Sequence, residues 1–291
     1  MSKIEKDEHS GTDTTGHEWD GIKELNTPLP RWWLWTFYAT IVWAIGYCIA
    51  FPSIPLITES TKGLLGYSSR AEVEKDIAKA KAGQEKYLKK ISALPLEDIV
   101  KDSDLSTFAV AGGRSAYQVN CVQCHGTGAA GSIGYPNLND DDWLWGGKLE
   151  NIYITIKHGI RFEQDEDTRA SDMPAFGKDE VLNKEQIKQV SEFVLSLSKS
   201  SHDTNIAAKG AAIFKDNCAS CHGEKGEGNQ EVGAPRLNDA IWLYGGDRET
   251  IIRMVSNPKN AVMPAWAHRL DDVTIKQLAI YIQSLDGTQA Q

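Results

Sequence analysis

Apolar positions divide the chain into one long uncharged run and a series of shorter helical patterns. The run covers the 20 residues from Trp32 to Phe51 and stays free of charge as far as Thr58. About 20 apolar residues in a helix cross ~30 Å of hydrocarbon. Tryptophans crowd one end like an aromatic belt, and Pro52 ends the helical pattern at the other. The pattern predicts a transmembrane anchor at 32–58.

The leader before this run, residues 1–31, is polar and net acidic and has no apolar period, so no regular structure is predicted for it. A cleavable signal peptide has a short basic leader and small residues at its cleavage site. The chain has neither feature, which favours an uncleaved anchor. Cys48 within the span is interpreted as a small hydrophobic residue that packs against lipid or another helix. Lys and Arg are equally frequent within ~20 residues of both ends, so the positive-inside rule does not decide the orientation.

Helical periodicity continues after the anchor, and no strand pattern interrupts it. Residues 59–104 are rich in Ala, Glu and Lys and predict a helical linker, interpreted mainly as a solvated spacer. Four further segments place apolar residues at three- and four-residue steps. The fold class predicted is all-α. The four predicted helices are Phe108 to Asn120, Lys184 to Leu197, Ala207 to Asn217 and Asp272 to Leu285.

Two copies of one unit make up the rest of the chain, at 105–200 and 201–291. Each copy contains, in the same order, Cys-x-x-Cys-His-Gly, Pro-x-Leu-Asn-Asp, Trp-Leu-aromatic-Gly-Gly, Met-Pro-Ala-aromatic and Ile-Lys-Gln. Chance does not easily produce that order twice, so we predict two homologous domains. A domain of this size has a marginal core by itself. A large apolar cofactor would supply the missing buried surface.

Four of the five cysteines lie in the two Cys-x-x-Cys-His motifs. This motif is the attachment signature of c-type haem, in which the thiols form thioethers and the histidine binds the iron. A zinc site would bring its cysteine pairs to within ~15–20 residues, and a thioredoxin-like pair would need a βαβ context. The motifs therefore predict two covalently bound haem c groups, attached at Cys121, Cys124 and His125 and at Cys218, Cys221 and His222.

Met173 and Met263 occupy equivalent places in the two repeats, each followed by Pro-Ala-aromatic. A thioether ligand favours reduced iron, and His/Met ligation closes both axial positions. Such a haem passes electrons and does not bind a substrate. Pairing within each repeat is the default, but exchange of the two methionines between packed domains stays open. Met254 is interpreted as core.

Other candidate residues have weaker patterns. Trp143 and Trp242 recur in both repeats and either donate an indole N–H to a haem propionate or pack at the haem edge. The acidic run 163–167 belongs to an insertion that separates Cys121 from Met173 by 52 positions, against 45 in the other copy. It is either solvated or an acidic docking surface for a basic partner. Three histidines without counterparts in the other repeat are interpreted as structural or surface residues: His158, His202 and His268.

Composition excludes other classes of protein. The chain has 291 residues, enough for about two domains at ~150 residues each. Lys and Arg total 31 against 40 Asp and Glu, and the net charge of −9 argues against a nucleic-acid partner. Apolar residues at 41% and charged residues at 24% are typical of a folded globular protein.

The leader His-Glu-Trp-Asp-Gly-Ile-Lys-Glu-Leu-Asn-Thr-Pro-Leu-Pro-Arg-Trp-Trp-Leu-Trp, from His17 to Trp35, precedes one span and two Cys-x-x-Cys-His/Met-Pro-Ala units. This arrangement resembles the dihaem subunit, often called subunit III or the P subunit, of cbb3-type cytochrome c oxidases, and the resemblance covers essentially the whole chain. It implies two tandem class I cytochrome c domains. It also implies Met173 and Met263 as distal haem ligands.

By the same resemblance the chain is a non-catalytic electron-entry subunit of a proton-pumping, oxygen-reducing complex in the bacterial inner membrane. It would take electrons from a donor cytochrome c or a quinol-oxidising complex. It would pass them to a monohaem cytochrome c subunit and the catalytic haem–copper subunit. Its N-terminus would be cytoplasmic and its haem domains periplasmic.

Two other function classes stay open. A free-standing, membrane-anchored dihaem carrier would have the same chemistry without an oxidase. A dihaem peroxidase or a gas sensor would need an open or exchangeable iron position, which His/Met ligation does not provide.

Overall fold

The structure is a computed structural model that describes residues 4–285 and divides into two compact units, Met1–Gly83 and Gln84–Gln291. The fold is mostly helical, as predicted, with one small two-stranded sheet in the first unit. The beginning of the predicted leader, 1–3, and the end of the second repeat, 286–291, lie outside the described residues.

The polar leader contains a β-hairpin that the sequence reasoning did not predict. Strand β1, Thr14–Trp19, pairs antiparallel with strand β2, Ile22–Leu25. Asp20 and Gly21 connect them with φ angles of 49° and 82°. Positive φ at both central residues is the requirement of a type I′ hairpin turn, which Asp-Gly satisfies well. The Asp-Gly pair was therefore the available signal.

Helix α1, Arg31–Ala50, coincides with the predicted apolar run to within one residue at each end. It follows Pro30, and Phe51 after it has an extended backbone. It is the one helix of the described chain that is long and apolar enough to cross a membrane, and none of its residues is buried. An unburied apolar surface of this length has its natural environment in lipid.

Helices α2, Ser69–Ala93, and α3, Leu96–Lys101, follow in the segment predicted to be a solvated spacer. Val73 in α2 is indeed exposed. The interpretation as a spacer is wrong for the end of the segment, because Ile91 and Ile99 are fully buried in a core of the second unit. The last turns of this linker are thus part of the folded domain.

The first of two helical cores in the second unit contains α4, Ser103–Asn120, α5, Val122–His125, and α6, Leu149–His158, all from the first repeat. Asp102 caps α4 by accepting from the backbone N–H groups of its first turn. The helix that packs across α4 and α6 is the last one of the structure. It runs from Asp272 to Leu285 and is called α11 below.

The second core contains α8, Thr204–Asn217, α9, Ala219–His222, and α10, Arg248–Ser256, from the second repeat. The helix that packs on α8 and α10 is α7, Lys184–Leu197, which belongs to the first repeat. Its start is fixed by a capping box between Asn183 and Gln186.

Each core therefore combines the first part of one repeat with the last helix of the other. The same close contact occurs at both helix crossings. A Cβ atom on Gly113 in α4 would lie 2.1 Å from the carbonyl oxygen of Gln277 in α11. The equivalent Gly210 in α8 lies against Gln189 in α7, where a Cβ atom would be 2.0 Å from the carbonyl oxygen. Gln189 and Gln277 end the Ile-Lys-Gln sequence of their repeats, so the exchange is reciprocal.

Aromatic contacts repeat this symmetry four residues further along α4 and α8. The rings of Tyr117 and Tyr281 have centroids 5.6 Å apart in the first core. Phe214 and Phe193 are the equivalent pair in the second core, at 5.1 Å. Tilted aromatic pairs at this distance add about 0.5–1.5 kcal/mol to the burial of their area. They help to hold the exchanged helices in place.

Candidate functional site

The two Cys-x-x-Cys-His motifs have the same local structure. In each, a long helix ends at the first cysteine and a single helical turn, α5 or α9, carries the second cysteine and the histidine. Gly126 and Gly223 end these turns with φ angles of 80° and 78°, a region that favours glycine. In the first motif, Tyr117 donates a hydrogen bond of 2.8 Å to the carbonyl oxygen of Gly126. The motif is thereby held against its helix.

The two motif histidines have their Nδ1 atoms engaged by the backbone. Nδ1 of His125 lies 3.1 Å from the carbonyl oxygen of Pro136, and Nδ1 of His222 lies 3.0 Å from that of Pro235. A carbonyl oxygen only accepts, so Nδ1 must carry the proton and Nε2 keeps a free lone pair. Burial lowers the pKa of both histidines, which favours the neutral imidazole that a metal needs.

No disulfide joins the motif cysteines in the described chain. Cys121 and Cys218 are half-buried, and burial raises the pKa of each thiol to about 11. Their partners Cys124 and Cys221 are exposed. Since no disulfide engages these four sulfur atoms, each could form a thioether bond to a porphyrin.

A single cavity in the second unit borders both motifs and both predicted methionine ligands. Its remaining lining is largely aliphatic, aromatic and proline side chains, as expected of a site for an apolar macrocycle. All eight residues predicted as haem ligands or attachment points line it: Cys121, Cys124, His125, Met173, Cys218, Cys221, His222 and Met263.

The methionines lie with the motif of the other repeat. Met263 packs against the first core, as Cys121 does, and its backbone exchanges two hydrogen bonds with Ile160, at 2.9 and 3.0 Å. Met173 packs against the second core, as Cys218 does. The packing thus differs from the default of pairing within a repeat and corresponds to the exchange that the sequence left open. A repeated sequence does not indicate whether a methionine packs with the motif of its own repeat or with that of the other.

Two aromatic side chains of the Trp-Leu-aromatic-Gly-Gly sequences connect the two halves of the cavity. Trp145 lies against Gly233, where a Cβ atom would be 2.2 Å from its ring. The equivalent Tyr244 lies against Gly134 at 3.2 Å, and the N–H of Gly134 donates to the carbonyl oxygen of Leu243. The loop of each repeat therefore reaches into the other.

The donor chemistry of the lining tests whether this cavity fits a haem. Nε2 of His125 and of His222 keeps its lone pair, because Nδ1 of each is engaged by a proline carbonyl, and two methionine thioethers belong to the same lining. These donors and the largely apolar wall fit the group. Two buried polar atoms without a hydrogen-bond partner in the described part of the chain, Nε1 of Trp143 and Nε of Arg169, lie outside the lining of this cavity. The Arg169 guanidinium stacks 5.5 Å from the Trp145 ring centre, and burial lowers its pKa.

The remaining predicted residues have separate environments. Nδ1 of His158 contacts Asp165 at 3.1 Å, and Nδ1 of His202 lies 2.8 Å from the carbonyl oxygen of Ser200. Neither histidine lines the cavity. Met254, interpreted as core, is half-buried and lines the cavity from α10, as the buried Ile251 and Val255 of the same helix do.

Comparisons with known proteins agree with the architecture. A family described as the N-terminal domain of cytochrome oxidase-cbb3, FixP, matches residues 11–58. A second, described as cytochrome c oxidase, cbb3-type, subunit III, matches residues 108–194 and again 205–282. The double match identifies two tandem cytochrome c domains.

Curated relatives cover nearly the whole chain. The cbb3-type cytochrome c oxidase subunit FixPc of Rhizobium leguminosarum bv. viciae is 56% identical over 99% of both chains. Subunit FixP of Rhizobium meliloti (strain 1021) is 55% identical over 97% of this chain and 96% of the relative. Subunit CcoP of Azospirillum brasilense is 52% identical over 99% of both.

Proposed function

Because the chain belongs to the cbb3-type cytochrome c oxidase subunit III family, we propose that it is the subunit through which electrons enter an oxygen-reducing complex. It is a membrane-anchored cytochrome c subunit with two tandem haem domains. One observation carries the proposal. Each Cys-x-x-Cys-His motif has a methionine of the other repeat packed on its own core, and both sets border one cavity.

Two haem c groups would be held by thioethers to Cys121 and Cys124 and to Cys218 and Cys221. Bound haem c supplies a one-electron Fe(III)/Fe(II) couple. Nε2 of His125 and of His222 would donate to iron, since Nδ1 of each donates its proton to a proline carbonyl.

The distal ligands follow the packing of the two cores. We assign Met263 to the haem attached at Cys121, and Met173 to the haem attached at Cys218. The support is that each methionine packs on the core of the motif assigned to it. With one histidine and one methionine for each haem, the polypeptide would itself supply the ligands that water or another small molecule could otherwise provide. This is the arrangement of an electron carrier and would give the subunit no catalytic site of its own.

Shared lining supports transfer between the two sites. Trp145 and Tyr244 each reach from one repeat to the loop of the other and line the same cavity. The two attachment sites therefore border one cavity that is lined by residues of both repeats. The subunit would pass electrons between its own sites before delivery.

We base the proposed partners and orientation on the resemblance to the family. Electrons would arrive from a donor cytochrome c or a quinol-oxidising complex. They would leave to a monohaem cytochrome c subunit and the catalytic haem–copper subunit of the same complex. Helix α1 would anchor the chain in the bacterial inner membrane. The leader would be cytoplasmic and the haem domains periplasmic, because haem c is attached outside the cytoplasmic membrane.

Purification of the tagged full-length chain in mild detergent tests the main proposal. We expect a haem–copper membrane subunit and a monohaem cytochrome to co-purify, and the preparation to consume oxygen with reduced cytochrome c. Isolation of the chain alone, with both haems intact, would favour a free-standing carrier. Binding of carbon monoxide by the reduced chain would favour a peroxidase or a sensor, because it requires an open iron position.

Single-haem variants test the ligand assignment. With Cys121 and Cys124 replaced by Ser, only the haem at Cys218 is left. In this background Met173→Ala should abolish the near-infrared sulfur-to-iron band, whereas Met263→Ala should leave it unchanged. Pairing within each repeat predicts the reverse result. Replacing Cys218 and Cys221 instead provides the reciprocal control.

A further inference from the structure

Two histidines and two aspartates converge beside the segment that carries Met263, and we propose that they bind one divalent transition-metal ion such as Zn²⁺. His158 is the last residue of α6. Asp165 and Asp167 lie in the insertion that lengthens the first repeat, and His268 follows Met263 in the second repeat. The proposal does not depend on the oxidase assignment, because no haem ligand takes part in it.

Backbone hydrogen bonds bring these distant positions together. The N–H groups of Trp266 and Ala267 donate to the carbonyl oxygens of Ile156 and Lys157, at 3.1 and 3.2 Å. His268, the next residue, is therefore held beside the end of α6. The insertion returns to the same point, because the N–H of Arg169 donates to the carbonyl oxygen of Gly159.

The donor atoms are at distances that suit a small cation. Nδ1 of His158 lies 3.1 Å from Oδ1 of Asp165 and 4.0 Å from Oδ2 of Asp167. Oδ2 of Asp165 lies 3.8 Å from Nε2 of His268. Tetrahedral Zn²⁺ binds N and O at ~2.0–2.2 Å, which places its donors about 3.3 Å apart. The donor atoms of His158, Asp165 and Asp167 already lie within 4.8 Å of one another, and His268 would move towards them to complete a tetrahedral set.

Charge balance also favours a cation. The Asp165 side chain is only 9% exposed, and a buried carboxylate needs a compensating charge. Within residues 4–285, the ion-pair partners of Asp165 and Asp167 are the imidazoles of His158 and His268, with no Lys or Arg among them. Two imidazole nitrogens beside two carboxylates are a donor set that a divalent transition-metal ion binds, and its two positive charges would balance both carboxylates.

Metal bound here would join two segments of different repeats. It would connect the insertion after α6 to the chain just beyond Met263, next to the hydrogen bonds between Met263 and Ile160. A simple hydrogen-bonded pair of His158 and Asp165 is the competing explanation. In that case His268 and Asp167 would contribute nothing.

Calorimetric titration of the full-length, haem-loaded chain in detergent with ZnCl₂, after treatment with chelator, tests the proposal. We expect one Zn²⁺ per chain at this site, with affinity falling at least about tenfold in His268→Gln and in Asp167→Asn. These side chains are 61% and 82% exposed, so their replacement does not endanger the fold. Zn²⁺ should also raise the thermal midpoint of the wild type more than that of either variant.

Two matched controls complete the design. Glu166→Gln removes an exposed carboxylate between the proposed ligands, and His202→Gln removes a histidine from another part of the fold; neither should alter the affinity. Absence of stoichiometric Zn²⁺ binding would overturn the proposal. Equal affinity in the wild type and in His268→Gln would do the same, because binding would then lie elsewhere or involve the His158–Asp165 pair alone.

Discussion

Replacing Gly113 or Gly210 with alanine tests the exchanged helix packing directly. The new Cβ atom would lie 2.1 Å from the carbonyl oxygen of Gln277, or 2.0 Å from that of Gln189. Ordinary contact begins at 3.4 Å, so each pair of helices would have to separate by about 1 Å or more. The contacted oxygen belongs to the backbone, so no side-chain rotation can relieve the clash.

The expected cost is set by two opposing effects. Overpacking in a well-packed core costs roughly 1–3 kcal/mol, and a backbone obstacle belongs at the upper end of that range. Alanine recovers about 1 kcal/mol through its higher helix propensity. We therefore expect a net loss of about 2 kcal/mol in the free energy of unfolding for each variant. In a chain of this size that corresponds to a Tm lower by roughly 4–8 °C.

Thermal unfolding followed by circular dichroism measures the loss of stability, and the near-infrared sulfur-to-iron bands show which of the two haem sites is affected. Gly210→Ala should first weaken the band of the haem attached at Cys218, because α7 follows Met173. Gly83→Ala, with nothing within 4 Å of the new atom, is the matched control and should not destabilise the protein. The exchanged packing would be refuted if Gly113→Ala were as stable as the wild type. It would also be refuted if Gly210→Ala weakened only the sulfur-to-iron band of the haem at Cys121.

Three further variants test individual contacts by chemical denaturation. Glu192→Gln weakens the ion pair between the buried Glu192 and the half-exposed Arg248 and should cost about 1 kcal/mol. Arg248 lowers the pKa of Glu192, so the loss of stability should be full above pH 4.5 and vanish as the pH falls through the lowered pKa. A loss of stability that does not depend on pH would contradict this. Tyr117→Phe removes the hydrogen bond to the carbonyl oxygen of Gly126 and should lower the free energy of unfolding by about 1 kcal/mol. An unchanged denaturation midpoint would mean that water takes the place of the tyrosine hydroxyl. Lys276→Met removes the ammonium that binds three carbonyl oxygens at the end of α2 and should cost about 2 kcal/mol; equal stability would show that these carbonyls need no cation.

The helices and the ligand residues were predictable from local pattern. The bounds of α7 and α11 match the predicted segments, and for α7 a capping box marks the start at Asn183. All eight proposed haem-binding residues, which motif and repeat had selected, line one cavity, whereas the sequence predicted one site in each domain. Local sequence carries this information because a helix start and a haem motif each depend on a few neighbouring side chains.

Longer-range features were not predictable in the same way. The buried end of the linker at Ile91 depends on contacts with segments far along the chain. The exchanged positions of Met173 and Met263 leave no trace in the spacing of either repeat, because both copies carry the same landmarks in the same order. The contacts of Met263 with the first core and of Met173 with the second distinguish the two pairings.

The exchange of terminal helices has a consequence for biogenesis. The first Cys-x-x-Cys-His motif leaves the ribosome long before α11, the helix that completes its core. Haem attachment at Cys121 and Cys124, as proposed, would therefore begin on a chain whose core is still incomplete. Neither repeat contains all the helices of its own core. A protein truncated after its first copy would therefore lack both the helix that completes the first core and the methionine proposed for the first haem.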